Sequence, residues 1–261
     1  LGNNMRIITH NVNGIRAADK YGLFDWLKTQ NADVICLQEI KAHKEQLSDP
    51  VFFPSDYHHY FFSAEKKGYS GVAIYSKIKP QEIIKGLGWQ LADQEGRYLQ
   101  IDFANLSVIS VYLPSGTSGP ERQSCKFEFM EQFMPHLRSL KNASIPAILC
   151  GDWNIAHTKD DLKNWRGNQK NSGFLPEERA WLDNLFMDEG FVDAFRLLNK
   201  ETDQYTWWSN RGQAYAKNVG WRIDYQIITP KLAPLVKAVS IYKEQKFSDH
   251  APLVIDYNFI L

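Results

Sequence analysis

The chain is short of several things, and each absence removes a class of protein. Its 261 residues carry Lys+Arg 30 against Asp+Glu 30, a formal net charge of +0. That balance argues against a protein that coats nucleic acid by bulk charge, while leaving room for a local basic face around an acidic centre. Cysteine is scarce: Cys36, Cys125 and Cys150 are an odd number at no metal-ligand spacing. Cys36 and Cys150 lie in apolar runs and read as small core residues, which suits a reducing cytoplasm. No apolar run reaches membrane-spanning length, and no charged-then-apolar leader is present, so no membrane association is expected. Linkers rich in Pro, Gly and Ser, low-complexity tracts and internal repeats are also missing. Residues 5–261 therefore read as a single domain, with Leu1-Gly2-Asn3-Asn4 as an appendage ahead of Met5. Apolar residues make up 44% of the chain, enough for a large core.

Short buried strands that end abruptly in polar residues dominate the pattern. At 147–150 an apolar run stops at Gly151 and presents Asp152 and Asn154. Turn chemistry explains Gly-Asp and Asn as well as function does, if this stretch stands alone. The same event recurs elsewhere. A strand at 6–9 ends in His10, Asn11 and Asn13, and one at 33–37 delivers Glu39. Glu39 reads either as a solvated strand end paired with Lys41 or as a ligand for a hard cation. The strand at 106–113 ends near Tyr112, another enters from Asp224, and Asp249 and His250 precede the last strand at 253–259. Charged and amide groups at the ends of buried strands are costly unless something satisfies them. An α/β scaffold collects a site in this way, at one edge of its sheets.

Helices are expected from Ala17 to about Asn31, from Pro120 and from Pro176. The second carries Phe127, Met130, Phe133, Met134, Leu137 and Leu140 at helical spacing, with Pro135 expected to kink or break it. The third turns Trp181, Leu182, Leu185 and Phe186 inward and stops at Gly190. The strands at 69–76, 97–103 and 106–113 read as successive antiparallel members of one sheet. Adjacent His58 and His59 alternate across a strand and cannot share a metal, so no catalytic role is given to them. The polar stretch 164–173 is too long to be a simple connector. Alternating strands and helices with local hairpins imply mixed sheets covered by helices.

Five motifs occur in order: His-Asn-Val-Asn-Gly-Ile-Arg at 10–16, Leu-Gln-Glu-Ile-Lys at 37–41, Gly-Asp-Trp-Asn-Ile-Ala-His at 151–157, Asn-Val-Gly-Trp-Arg-Ile-Asp-Tyr at 218–225 and Ser-Asp-His-Ala-Pro-Leu at 248–253. Together with Lys-Asn-Ser-Gly-Phe at 170–174, they resemble the exonuclease III family of abasic-site endonucleases, within the endonuclease/exonuclease/phosphatase superfamily. The resemblance implies an α/β four-layer sandwich of two mixed β-sheets packed face to face and flanked by helices.

It also implies roles. Glu39 would hold Mg²⁺, with Mn²⁺ as a substitute, and Asp249 and Asn13 would lie nearby; many relatives carry an acidic residue where Asn13 stands. Asp152 would orient or deprotonate the attacking water, and Asn154 would hold that carboxylate and the phosphate. His250, paired with Asp224, would donate to a phosphate oxygen. Tyr112 would contact the phosphate or the leaving group, and Asn11 would support the metal and His250 side. Trp207, Trp221 and Ile223 match the family's pocket for a base-less sugar, while Trp208, on the opposite face, reads as core. Asn168, Asn171, Lys170, Arg211 and Lys217, with Lys163 and Arg166, would contact duplex phosphates.

The implied activity is Mg²⁺-dependent incision of double-stranded DNA 5′ to abasic sites, leaving a 3′-hydroxyl. Accompanying 3′-phosphatase and 3′→5′ exonuclease action is expected, by a monomer. The rivals are a dedicated enzyme that cleans blocked 3′ ends, a DNA-binding scaffold without catalysis, and a small-molecule phosphatase of the same superfamily.

Overall fold

The computed structural model describes residues 4–261; most of the expected N-terminal appendage, 1–3, lies outside the described residues. In chain order the strands are β1 (Met5–Asn11), β2 (Val34–Gln38), β3 (His58–Phe62), β4 (Val72–Ser76), β5 (Glu82–Lys85), β6 (Tyr98–Asp102) and β7 (Ser107–Tyr112). They continue as β8 (Ala147–Asp152), β9 (Val192–Asp193), β10 (Trp207–Trp208), β11 (Gly220–Trp221), β12 (Asp224–Ile228), β13 (Val236–Ile241) and β14 (Leu253–Tyr257). The helices are α1 (Ile15–Lys20), α2 (Leu23–Gln30), α3 (Gln90–Asp93), α4 (Pro120–Asn142), α5 (Trp165–Asn168), α6 (Pro176–Asp183) and α7 (Ala194–Leu198).

Two six-stranded mixed sheets form, in the orders β13-β14-β1-β2-β4-β3 and β5-β6-β7-β8-β12-β9. Each has one parallel pair, β1 with β2 and β7 with β8, among antiparallel neighbours. Strands near the middle of each sheet are apolar on both faces because both faces are covered. Between the sheets lie Ile7, Cys36, Ile74, Val108, Ile148, Cys150 and Ile255. Outside the first sheet, α1 and α2 pack Ile15, Leu23, Phe24 and Leu27 against Ile8, Ile35 and Tyr75. Outside the second, α4 and α6 pack Phe129, Phe133, Leu137 and Leu182 against Ile109, Leu149 and Ile227. The architecture is therefore helix, sheet, sheet, helix, as expected. Cys36 and Cys150 are buried free thiols.

Several local expectations are corrected. The first helix is two helices, because Gly22 takes a left-handed conformation at φ 91° and caps α2. Strand β4 pairs with β2 and β3 in the first sheet, so it does not join β6 and β7. Its neighbours in sequence hid this, since hairpin logic favours the next strand along. Helix α4 runs unbroken through Pro135. That residue sits on the exposed face, where water can satisfy the carbonyl it leaves free. The segment after 229, read as a link, contains the edge strand β13, and β5 was not anticipated; both are largely exposed and lack an apolar signature.

Polar contacts tie the sheets together near the site. Gln38 Nε2 donates to Ser110 Oγ at 3.0 Å, and Gln226 Nε2 donates to the Ile7 carbonyl at 2.9 Å. Within the second sheet, Tyr112 and Asp224 both lie in register with Asp152 on β8. Gly151 fixes that edge: a Cβ there would fall 1.8 Å from the Val111 carbonyl oxygen of β7. Gly151→Ala should therefore cost about 1–3 kcal/mol or more through forced separation of β7 and β8. Urea unfolding tests this, and wild-type stability in the variant would refute the close-approach argument.

Candidate active site

Strand ends from both sheets converge on one cavity of about 220 Å³, with Glu39, Tyr112, Ser115, Thr117, Asp152, Asn154, Ser172, Gly173, Trp207, Trp221, Ile223, Asp249 and His250 at its wall. Glu39 directly follows β2, and Asn154 and Asn13 each lie two residues past the ends of β8 and β1. All three have left-handed backbone, at φ 53°, 52° and 43°. Such conformations are unfavourable for residues other than glycine and persist only where the surroundings enforce them.

Asp152 is the centre. Its Oδ1 accepts the Asn154 backbone N–H at 2.9 Å, and its Oδ2 accepts Asn11 Nδ2 at 2.9 Å. The same Asn11 amide nitrogen lies 3.1 Å from Glu39 Oε1, so Asn11 bridges the two carboxylates. Burial, reinforced by the neighbouring Asp224 charge, pushes the Asp152 carboxyl up to about 7. His250 Nδ1 lies 2.8 Å from Asp224 Oδ2, and its Nε2 lies 3.6 Å from Asp152 Oδ2. Burial alone would lower the imidazole pKa, but Asp224 and Asp152 outweigh it and hold the group up at about 10. His250 is therefore an imidazolium at neutral pH.

Asp152, Asp224 and His250 are the one group of three among the described residues close enough to share an ion. Both imidazole nitrogens already face carboxylates, and a protonated imidazole offers no lone pair to a metal. The donor chemistry at Glu39 fits a hard cation better. Its Oε2 lies 3.3 Å from Lys41 Nζ, which also donates to Asn13 Oδ1 at 2.6 Å. The position thus already draws a positive charge, and the Lys41 pairing coexists with the cation-ligand reading. Asn13 Nδ2 donates to Asp249 Oδ1 at 3.2 Å, joining the expected metal-side residues.

Tyr112 is held by Arg97, whose guanidinium lies 4.7 Å from the ring centroid and donates to the Tyr112 carbonyl at 2.9 Å. Burial and then the Glu39 charge push the Tyr112 hydroxyl well above its ordinary value, so it remains a donor. The Asn154 side-chain amide donates to the Leu113 carbonyl at 2.7 Å. Its backbone N–H, more than its side chain, is what holds Asp152.

Trp207 and Trp221 form one apolar wall, edge to face with ring centroids 6.3 Å apart and planes at 79°. They rest with Ile223 on Leu162, Phe174 and Trp165. The Trp207 Nε1–H donates to Asp249 Oδ2 at 3.2 Å, so the wall also braces the Asp249 carboxylate. Trp208 is buried in a separate cluster with Tyr205 and Ala214, as expected of core.

The suggested DNA contacts lie outside the cavity wall. Lys170, Asn171, Arg211 and Lys217 are exposed, and Asn168 is half-buried. Asn171 Nδ2 donates to Asn168 Oδ1 at 2.9 Å within their own loop. Lys163 pairs with Asp203 at 3.0 Å, which engages its charge within the chain.

Sequence reasoning missed Thr206, whose buried Oγ1 accepts the Ile223 and Asp224 backbone N–H groups, each at 3.1 Å. It also missed Ser172 and Thr117 in the wall. No motif signal marks a lone threonine or serine; only the fold brings them in.

A buried carboxylate held on both oxygens, with an imidazolium beside it, can take a proton from a water and stabilise a negatively charged oxygen. Comparison with known proteins narrows the class. A model described as Endonuclease/Exonuclease/phosphatase family matches residues 8–250. An exodeoxyribonuclease of Bacillus subtilis (strain 168) is 40% identical over 97% of this chain and 100% of its own length. A DNA repair nuclease of Danio rerio is 36% identical over 97% of this chain and 82% of its own. Among solved structures, an AP endonuclease from Archaeoglobus fulgidus superposes with a TM-score of 0.89 at 28% identity, covering 98% of this chain and 100% of that one. The chain belongs to the endonuclease/exonuclease/phosphatase family and is a hydrolytic nuclease.

The raised imidazole has a consequence for stability. His250 binds its proton more tightly folded than unfolded, so its contribution is fully present below about pH 6.5 and is lost as pH climbs toward about 10. Across that window its share of the slope is on the order of −1 kcal/mol per pH unit. Urea titrations at pH 7, 8 and 9 should show unfolding free energy falling more steeply in the wild type than in His250→Asn. Parallel slopes would mean that the imidazolium is not stabilised by folding.

Proposed function

We propose that this chain is a Mg²⁺-dependent DNA repair endonuclease that hydrolyses the phosphodiester 5′ to an abasic site and leaves a 3′-hydroxyl. Residues 5–261 act as one catalytic unit, since both sheets contribute to the cavity. The same site serves 3′-phosphatase and 3′→5′ exonuclease action. The observation that carries the reading is the union, in one cavity, of the Asp152–His250 phosphate chemistry with the Trp207–Trp221–Ile223 wall. At about 220 Å³ the cavity is small beside ordinary ligand pockets of roughly 300–1,000 Å³. A flipped sugar without its base fits such a space better than an intact nucleotide does.

The chemistry follows from the geometry. Ionised Asp152, held on both oxygens, orients a water and takes its proton as the water oxygen joins phosphorus and the P–O3′ bond breaks. His250, kept charged by Asp224, donates from Nε2 to a non-bridging phosphate oxygen. Tyr112, braced by Arg97, offers a neutral hydroxyl to the phosphate or the departing oxygen. Glu39, with Asp249 and Asn13 beside it, would hold Mg²⁺, for which Mn²⁺ can substitute. A cation there supplies charge neutralisation and stabilises the departing 3′ oxygen, which then takes a proton. Asn168, Asn171, Lys170, Arg211 and Lys217 sit on two loops that end in the cavity wall, where they would position duplex phosphates. A cytoplasmic monomer acting on DNA completes the reading.

A second reading has its own support. The structure of a 3′ phosphatase from Neisseria bound to product DNA hairpin superposes with a TM-score of 0.88 at 26% identity, covering 98% of this chain and 100% of that one. The same residues would then serve a dedicated 3′-end-cleaning enzyme.

A labelled duplex with one internal abasic site, incubated with Mg²⁺ and then with chelator, separates the two. Metal-dependent incision to a 3′-hydroxyl product is expected. Phosphate release from a 3′-phosphorylated nick, with no internal incision, would move the function to end-cleaning. Asp152→Asn should bind the duplex as the wild type does while turning it over about 10²–10⁴-fold more slowly. Near-normal turnover by that variant would remove Asp152 from the chemistry.

A further inference from the structure

Beneath the cavity lies a fully buried ion pair. Lys126 on α4 and Glu178 on α6 are both 0% exposed, and Lys126 Nζ contacts Glu178 Oε2 directly. Burying a charged pair is expensive, and a pair of well-packed apolar residues is often at least as stable. A second connection accounts for this one. Lys126 Nζ also donates to the backbone carbonyl of Asn154 at 2.6 Å. Asn154 is the left-handed residue whose N–H holds Asp152 Oδ1. On the other side, Glu178 Oε1 accepts the backbone N–H groups of Gly173 at 2.8 Å and Leu175 at 3.0 Å. Gly173 stands in the cavity wall, and its carbonyl accepts the Ala156 N–H at 2.8 Å. The pair therefore joins α4, the turn after β8 and the end of the 164–173 loop.

We propose that Lys126 is a positioning residue: its donation to the Asn154 carbonyl fixes the strained backbone that aims Asp152, and Glu178 is the counter-ion that offsets the cost of burying its charge. The turnover part of the inference rests on the nuclease reading above; the backbone part does not. Asn154 has two peptide planes to hold. Its N–H side is set by Asp152 and its carbonyl side by Lys126, so the left-handed turn is clamped at both ends. The side-chain bond to Leu113 fixes the amide but leaves the following peptide free to rotate. Without Lys126, that carbonyl loses its side-chain donor, and rotation of the peptide toward another partner draws the Asn154 N–H off the carboxylate. A small misplacement of a catalytic group lowers turnover more than it lowers binding.

Three variants separate position from stability. Glu178→Gln removes the counter-charge but keeps an acceptor for Gly173, and Lys126 remains a donor even as a neutral amine. It should lower the thermal midpoint while keeping kcat on the abasic duplex within about threefold. Lys126→Met should lower kcat about tenfold or more with KM within about threefold. The double variant Lys126→Met/Glu178→Gln restores neutrality. Its thermal midpoint should recover above those of the single variants while kcat stays low. If Lys126→Met does not fold alone, the double variant carries the comparison. Turnover that rises and falls with the thermal midpoint across the series would overturn the proposal. Hydrogen exchange of the Asn154 amide, read without substrate, should quicken about tenfold in the double variant; unchanged exchange would also overturn it. Failure of wild-type turnover on the abasic duplex, with quickened Asn154 exchange in the double variant, would sink the abasic-site reading and leave the positioning inference standing.

Discussion

A buried carboxylate sets the terms for the rest of this structure. Asp152 is 2% exposed at the end of a central strand and faces a second buried carboxylate, Asp224. Two such groups cannot both be charged there without compensation. Each neighbour answers that need. Asn11 reaches across from the other sheet, Asn154 turns its backbone inward, and His250 takes a proton between the two acids. The arrangement that satisfies Asp152 is also one that can hold and activate a water. Structural satisfaction and chemical capacity here are one set of contacts.

The same economy runs outward. Strained residues at 13, 39 and 154 are each held by side-chain bonds: Asn13 to Asp249, Glu39 to Asn11 and Asn154 to the Leu113 carbonyl. Buried Arg222 bonds Asp161 at 2.8 Å and Asp193 at 2.7 Å, pinning the short segment that carries Trp221, Ile223 and Asp224. Ion pairs of this kind add little net stability, but they penalise any other backbone path. They lie against the segments whose positions matter for the cavity.

The pocket wall is joined to the charged half of the site through Trp207. Its indole is half apolar surface and half hydrogen-bond donor, with the N–H committed to Asp249. Whatever presses on that ring also bears on the Asp249 carboxylate. On the proposed reading, one side chain would thus serve both substrate recognition and placement of the cation.

The sequence by itself determined the local events. Apolar runs that stop at Asp152, Asn11 and Glu39, or start from Asp224, reflect strands whose ends must meet something polar, and that requirement is written in adjacent residues. The stripe on α4 is legible for the same reason. Tertiary structure decided what those ends meet. Sheet membership of β4 and the edge strand β13 depend on pairing between segments far apart in the chain, where apolar patterning is weak. Asn11 bridging Glu39 and Asp152, Thr206 holding Asp224, and Lys126 holding Asn154 each span elements from different parts of the fold. A hydrogen bond acts over about 3 Å and depends on orientation. No spacing in sequence encodes it until packing of the two sheets has brought donor and acceptor together.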